Sequence, residues 1–347
     1  AGNPPEYNKS VRDFDIVTLD RLKRIEIEPD YETWKEYAYK KGVHASVMTY
    51  LAARKKDFYK IENAADGKHF VTARGWDDLS EMIKLYEENG LAVDEQLICQ
   101  YLQDARISKD FAIYYDLFNK YRSDYQVEKI LDGTVSESIV LRAERACMDE
   151  RLSLLGLIFD SVTAQLRTVC ERENILDLVT GQLKALKEKL KDVSGAAALL
   201  SEMIEAEREK LERGKQSSSI SPQAQRETRF MLEYLEEFRA AVMQSGTAQK
   251  DEFSVVRESF AQKVAELKGL AADGSRVLEN VFSFCEKAFA DGDEILIFVT
   301  ELTANYYSAR FIGRYGCDKY YMHNKQLQFD QRQQEIIKRM DEIQWTV

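Results

Sequence analysis

Two spacings of apolar residues divide the chain. Up to about residue 130, apolar positions come in short helical runs separated by turn residues; beyond it they recur in sevens. Proline follows the same division, with Pro4, Pro5 and Pro29 at the front and Pro222 alone thereafter. Because proline breaks helix interiors, the long stretch without it permits long helices. Residues 14 to 28 read as extended structure around a turn, with Phe14, Ile16 and Val17 before it and Leu22, Ile25 and Ile27 after it. Pro29-Asp30 opens a helix carrying Trp34, Tyr37 and Ala38, and Val43 to Ala53 forms a second with Val47, Tyr50 and Leu51 on one side. Phe58 to Phe70 reads as irregular, with a turn at Asp66-Gly67. From Trp76 the period is helical again, Leu79, Ile83 and Tyr86 falling at i, i+4 and i+7 until Asn89-Gly90. A helix starting near Asp94 carries Leu97, Ile98, Tyr101 and Leu102, and one from about Ser108 sets Ile113, Leu117 and Tyr121 on a stripe. Asp132-Gly133 is the preferred domain boundary.

Beyond it, Leu155, Val162, Val169, Leu176, Leu183 and Leu190 recur every seven residues, and Ile158, Val179, Leu186 and Val193 fill most of the complementary positions. Two such seams describe a coiled-coil or bundle helix, since a 3.5-residue repeat keeps one stripe against a partner. Gln165 and Arg172 interrupt the second seam, and Gly195 ends the helix. Ala196 to Arg213 is the next helix. A polar linker, Gln216-Ser217-Ser218-Ser219, precedes a restart at Ser221-Pro222, with serine as N-cap and proline at N1. Met231, Leu235, Phe238 and Val242 share the buried face of that helix. Phe253, Val256, Phe260, Val264 and Leu267 form another heptad stripe, and 275–290, 293–312 and 325–343 are also helical by period and length. The fold class is therefore mainly α, ending in an elongated helical bundle with coiled-coil-like hairpins.

At 347 residues there is length for two or three domains. The 31% of charged residues suits long exposed helices better than a compact sheet protein. A formal charge of −11 argues against unspecific binding to nucleic acid or anionic membrane, which needs a basic excess. Arg310, Arg314 and Lys319 are a candidate local basic patch. No apolar run approaches the length of a membrane span; Ile295 to Val299 is far too short. The five cysteines (Cys99, Cys147, Cys170, Cys285 and Cys317) are scattered without a CxxC pair, the pattern of reduced cytoplasmic thiols. His44, His69 and His323 are isolated, so ligand spacing gives no metal site. The chain begins with Ala1 and has no signal-peptide pattern, as an excised fragment or a tag remnant would.

Three polar residues near the front carry the candidate chemistry. Asn3 lies in Gly2-Asn3-Pro4-Pro5-Glu6, Arg21 in Leu19-Asp20-Arg21-Leu22, and Arg74 in Thr72-Ala73-Arg74-Gly75-Trp76. Taken singly, Asn-Pro is more often a turn, Arg21 a strand-end arginine paired with Asp20 or Glu26, and Arg74 a surface partner of Asp77 or Asp78. In order and approximate spacing, however, the three stretches resemble sensor 1, the arginine-finger segment and sensor 2 of AAA+ ATPases, most closely the MoxR-like branch. The resemblance covers about the first 88 residues, more loosely to 130, and not the bundle. It implies that Asn3 helps position the attacking water, an amide being able to donate to a phosphate oxygen and accept from water. Arg21 would reach a neighbouring subunit's nucleotide, with Arg12 as a second candidate for that role, and Arg74 would contact the γ-phosphate in cis. The chain has Thr-Ala-Arg-Gly where the family more commonly shows Ser-Pro-Arg-Ala, which leaves the helix start less fixed.

The resemblance further implies a layout: residues 1–30 end an αβ AAA+ core, 31–132 form a helical lid and following helices, and 133–347 form an accessory helical bundle. The full-length protein would bind and hydrolyse ATP with Mg2+, act in the cytoplasm as a chaperone-like remodelling factor, and form a homo-oligomeric ring, expected to be hexameric. Its partners would be protein clients, with a von Willebrand A domain protein among the expected ones, and neither nucleic acid nor membrane. Walker A and Walker B lie upstream of sensor 1 in the family, so this chain alone is expected to be inactive and to bind no nucleotide. Gly67-Lys68 and Gly214-Lys215 are not Walker A loops, because Glu62 and Glu209 stand at the leading glycine positions and His69 and Gln216 follow the lysines. Leu91 to Glu95 imitates Walker B, but a helix start capped by Asp94 explains it better. The tyrosine- and arginine-rich stretch from Asn305 to Met322 has the composition of a binding hot spot, or of a buried hairpin between bundle helices. The alternative to an ATPase is a non-enzymatic helical scaffold or adaptor whose heptad seams mediate assembly.

Overall fold

A computed structural model describes residues 20–21, 27–64, 67–190, 195–217, 219–245, 252–290 and 292–325. The described residues are mainly α, with one small antiparallel hairpin. The extended segment expected around residues 14–28 and the helix expected at 325–343 lie outside the described residues, apart from 27–28, 325, and Asp20 and Arg21, which are helical and not extended.

The front of the chain holds α1 (Tyr31–Lys41) and α2 (Ala45–Ala53), followed by the hairpin of β1 (Lys60–Ala64) and β2 (Gly67–Val71). Then come α3 (Ala73–Glu88), α4 (Glu95–Tyr101), α5 (Ala105–Asp124) and the short α6 (Val127–Leu131). Local chemistry sets the starts. Asp30, Thr72, Asp94 and Asp104 cap α1, α3, α4 and α5, each accepting the backbone N–H three residues on. Gly42 ends α1 in the left-handed conformation, as C-terminal glycines commonly do. The segment read as irregular is instead the hairpin, pairing Lys60 with Val71 through Ala64 with Gly67. Its apolar residues do not alternate strictly, so no period-2 signal announced it. Phe70 also bonds to the Gln103 carbonyl, 3.0 Å away, which ties the hairpin to the α4–α5 turn. Around these elements Trp34, Val47, Tyr50, Trp76, Ile83, Phe111 and their neighbours form one buried cluster.

The rear holds α7 (Glu137–Arg145), α8 (Met148–Lys189), α9 (Ala196–Gln216), α10 (Pro222–Ser245), α11 (Glu252–Ala288), α12 (Glu294–Ala304) and α13 (Tyr306–Tyr315). The seam residues Leu155, Ile158, Val162, Val169, Leu176, Val179 and Leu186 are buried along the 42-residue α8. Ser221 accepts the Ala224 N–H at 3.2 Å, and Pro222 is the first residue of α10. Beyond Leu176, α8 packs with α9, α10 and the start of α11 in a second cluster. A third joins the first half of α8 to the rear of α11, to α12 and α13, and to Phe118, Tyr125, Ile130 and Leu131. The apolar core thus runs on across the Asp132-Gly133 turn.

Two helix boundaries differ from the reading of periods. α11 is continuous over 37 residues, through Gly269 and Gly274. At Gly274 a Cβ would stand 3.1 Å from the Phe311 ring, so close packing against α13 explains that glycine, not a break. Conversely, the segment expected as one helix over 293–312 is divided at Asn305. The Asn305 Oδ1 accepts the N–H groups of Tyr307 and Ser308, ending α12 and starting α13.

α8 also differs from the expectation about membranes. It is long and apolar enough to cross one, by length and a window of mean hydropathy 1.2, and 44% of that window is buried inside the bundle.

Candidate functional site

Asn3 and Arg12 lie outside the described residues. Arg21 is exposed. Arg74 is exposed at the second position of α3. Neither arginine has a hydrogen bond or ion pair among the described residues. The simple alternative for Arg74, a bond to Asp77 or Asp78, is not formed. Asp77 instead takes Lys41 at 2.6 Å and the Tyr37 hydroxyl at 3.4 Å.

The segment around Arg74 is held firmly although its arginine is free. The Thr72 hydroxyl accepts the Gly75 N–H at 3.2 Å, and Ala73 occupies the N1 position where the family's proline would stand. A Cβ at Gly75 would lie 2.7 Å from the Tyr101 carbonyl oxygen, so glycine lets the first turn of α3 press on the end of α4. Trp76 is fully buried and donates its Nε1–H to the Asp57 carbonyl at 3.2 Å. Asp57, itself buried, accepts from the Tyr50 hydroxyl at 3.0 Å and Arg106 at 2.8 Å. Arg74 therefore projects from a rigid frame at the N-terminal end of a helix whose dipole disfavours a cation, and no carboxylate among the described residues bonds to it.

A second feature was only half visible in the sequence. Ile113 and Leu117, expected on the core-facing stripe of α5, are 60% and 39% exposed. The buried face of α5 carries Ile107, Phe111, Tyr115 and Phe118 instead. Both stripes have helical period, and pattern alone does not say which meets the core. Ile113, Leu117 and the half-buried Tyr121 line an open cleft of about 710 Å³ bounded by α2, α5, α8 and α12. Its walls include Met48, Leu152, Phe159 and Ile297. Where α2 meets α8 the two helices touch closely, since a Cβ at Gly156 would lie 1.9 Å from the Thr49 side chain. The Tyr114 hydroxyl ties α5 to this junction, donating to Thr49 Oγ1 at 2.8 Å.

Among the described residues, the charged ones lining the cleft are Asp110, Asp149, Asp160 and Glu301 against a single cation, Arg54. Asp110 is satisfied by Arg54 at 3.0 Å and Arg106 at 3.2 Å. Glu301 takes Lys35 at 2.5 Å and the Tyr39 hydroxyl, which burial and the Glu301 carboxylate push far above the ordinary tyrosine range, so it remains a donor. The side-chain carboxylates of Asp149 and Asp160 have no hydrogen bond or ion pair among the described residues. Asp160 is exposed and lines the cleft. Desolvation by the surrounding protein pushes its carboxyl up from the ordinary value.

Two residues that line the cleft carry buried donors without a partner among the described residues. Asn305 is 1% exposed and its Nδ2 has no partner, while Oδ1 is occupied in capping α13, which fixes the orientation of the amide. Thr163 Oγ1 is likewise buried and unpartnered, although Thr49, Thr168 and Thr180 each donate to the carbonyl four residues before them. Asp149, Asp160, Thr163 and Asn305 had no signal in the sequence, because only the packing of α8 against its neighbours puts them along one cleft.

The proposed basic patch does not exist as free charge. Arg310 and Arg314 converge on Glu173, which is 2% exposed, at 3.3 and 2.9 Å, and the Tyr315 hydroxyl donates to the same carboxylate at 2.5 Å. Lys319 bonds Glu286 at 2.6 Å. Much of the tyrosine- and arginine-rich stretch accordingly serves the bundle, with Tyr307, Phe311, Ile312 and Tyr320 buried. Among the described residues no group of three or more His, Cys, Asp or Glu is placed to hold a metal ion. No protein-family model, curated protein or solved structure matches the chain.

Proposed function

We propose that the chain is the lid and helical extension of a MoxR-like AAA+ ATPase, in which Arg74 senses the terminal phosphate of bound ATP. What supports this reading is Arg74 itself: an exposed arginine without a partner among the described residues, on the first turn of α3, in a frame held by the Thr72 cap, the Gly75–Tyr101 approach and buried Trp76. An anion suits that place, since both the guanidinium and the free N–H groups of a helix N-terminus favour one. Thr72 does the capping of the family's serine, and Ala73 leaves the N1 backbone where proline would set it. Exposed Arg21 is free to act as the arginine finger on a neighbouring subunit, and Asn3 keeps the sensor 1 role that the resemblance implies. Bound ATP with Mg2+ would supply the energy for remodelling protein clients, and Arg74 and Arg21 are the side chains of this chain that would touch its phosphates.

The test is nucleotide binding and turnover by the full-length protein. Arg74→Ala should lower turnover, and Arg21→Ala should abolish it with nucleotide affinity intact, as arginine fingers contribute several powers of ten in rate. Unchanged turnover in both variants would overturn the reading, as would robust hydrolysis by the 347-residue chain alone. The long helices α8 and α11 favour a second reading, a scaffold that assembles through its helical faces. That reading expects partner capture to be indifferent to ATP and to Arg74→Ala.

A further inference from the structure

The cleft between α2, α5, α8 and α12 is not needed by the nucleotide reading, and its chemistry is specific. Its walls are apolar, from Ile113 and Leu117 on α5 to Phe159 on α8 and Ile297 on α12. Its volume of about 710 Å³ is that of a small-molecule site. Exposed apolar side chains around a concave cleft are uncommon without a function.

Three observations restrict the occupant. First, its charge is negative, and after Asp110, Glu301 and Arg54 have satisfied their partners, the carboxylates of Asp149 and Asp160 remain. They are eleven positions apart on α8, about three turns or ~16 Å of helix rise, so Asp160 and Asp149 address separate points along the cleft. Second, Asn305, one of the residues lining the cleft, holds a buried Nδ2 with no hydrogen-bond partner among the described residues. Buried donors are nearly always satisfied, and leaving one empty costs about 1–3 kcal/mol. Third, Thr163 Oγ1 is equally unspent, one turn of α8 beyond Phe159.

We propose that this cleft binds a small organic cation: a protonated amine on an apolar chain or ring that also carries a hydrogen-bond acceptor such as an amide carbonyl. The ammonium group sits against Asp160, the apolar body lies along Leu117, Phe159 and Ile297, and the acceptor meets Asn305 Nδ2. An anion is excluded by the surplus of carboxylates, and a purely apolar ligand leaves Asn305 and Thr163 unpaired. No bond is made or broken; this is a binding site.

Three matched probes test it by ligand-observed NMR titration against the 347-residue chain: N-acetyl-1,6-diaminohexane, the neutral N-hexylacetamide, and the anionic 6-acetamidohexanoate. The amine should bind roughly tenfold more tightly than the neutral probe, the difference expected for one charge-assisted hydrogen bond, with the carboxylate weakest. Asp160→Asn should bring the amine to the level of the neutral probe. Leu117→Trp, at an exposed position that fills the cleft without touching the core, should abolish binding of all three. Equal affinity for the amine and the carboxylate would overturn the proposal. So would amine binding that survives both substitutions, which would locate it elsewhere on the acidic surface. Neither result bears on the nucleotide reading, because none of these residues lies near Arg74 in the sequence or contacts it.

Discussion

Gly75 stands so close to Tyr101 that a methyl group on its α-carbon would be 2.7 Å from the tyrosine's carbonyl oxygen. That atom belongs to the backbone and cannot swing away, so the first turn of α3 and the last turn of α4 are locked at this point. Gly75→Ala should force them apart and destabilise the protein by about 1–3 kcal/mol, the usual cost of overpacking. Thr72→Ala, which removes the cap on the same turn, should cost about 1 kcal/mol. Denaturant midpoints measure both; a Gly75→Ala midpoint equal to wild type would show that the two helices have room to separate.

Arg74 presents the opposite case. It is exposed and makes no bond among the described residues, so Arg74→Ala should change stability by no more than about 0.5 kcal/mol. Its thermal unfolding should overlay that of the wild type while ATP turnover in the full-length protein falls. A large loss of stability would assign Arg74 a structural role instead.

Glu173 on α8 gathers Arg310, Arg314 and Tyr315 from α13, with its own carboxylate almost wholly buried. Burial, then the Glu173 carboxylate, pushes the Tyr315 hydroxyl up to about 12, so it remains a donor throughout the physiological range. Glu173→Gln keeps the shape but strips the charge that two guanidinium groups face, and should cost about 2–3 kcal/mol in a thermal or urea melt. Arg314→Gln should cost less than about 1 kcal/mol, since that arginine is mostly in solvent. If the two variants lose equal stability, the network is not centred on Glu173.

Acid should loosen the contact between α11 and the helical residues 318–325. Burial alone would raise the Glu286 carboxyl, but hydrogen bonds from Lys319 and His323 hold it below the ordinary value. For a carboxylate lowered on folding, the stabilisation is complete above the unfolded value of about 4.3 and disappears as pH falls through the folded one. Melting temperature should therefore decline below about pH 4 partly through this group, and Glu286→Gln should flatten that part of the curve.

Asp160 has the reverse sign. Desolvation in the cleft raises its carboxyl, so the folded state prefers the protonated form. Such a group is neutral in its effect below the ordinary value and subtracts stability as pH rises through the raised one. Asp160→Asn should accordingly raise the melting temperature at pH 7 and have little effect at pH 3. A lower melting temperature at pH 7 would mean that the carboxylate has a partner holding it charged.

Much of this architecture could be read from local chemistry. Asp94 as a cap, Ser221-Pro222 as a helix start and the heptad seam of α8 all stand where the residues imply, because capping and periodicity act within a turn or two of the chain. The hairpin at Lys60 to Val71 was missed for the complementary reason: short strands without strict alternation are stabilised by what they pair with and pack on. Gly274 and Asn305 mislead in opposite directions, the glycine being an accommodation to Phe311 and the asparagine a cap inside an apolar run.

From the residues alone came the mainly α class, the helix starts, the long seam and the three polar residues that resemble nucleotide sensors. Tertiary structure alone decided that Ile113 and Leu117 face a cleft, that Arg310 and Arg314 are neutralised by Glu173, and that Arg74 has no partner among the described residues. Period specifies that a helix has two faces, but which face is covered depends on the crossing of helices far apart in the chain. The same crossing leaves the Asn305 amide buried without an acceptor, a fact no window of sequence contains.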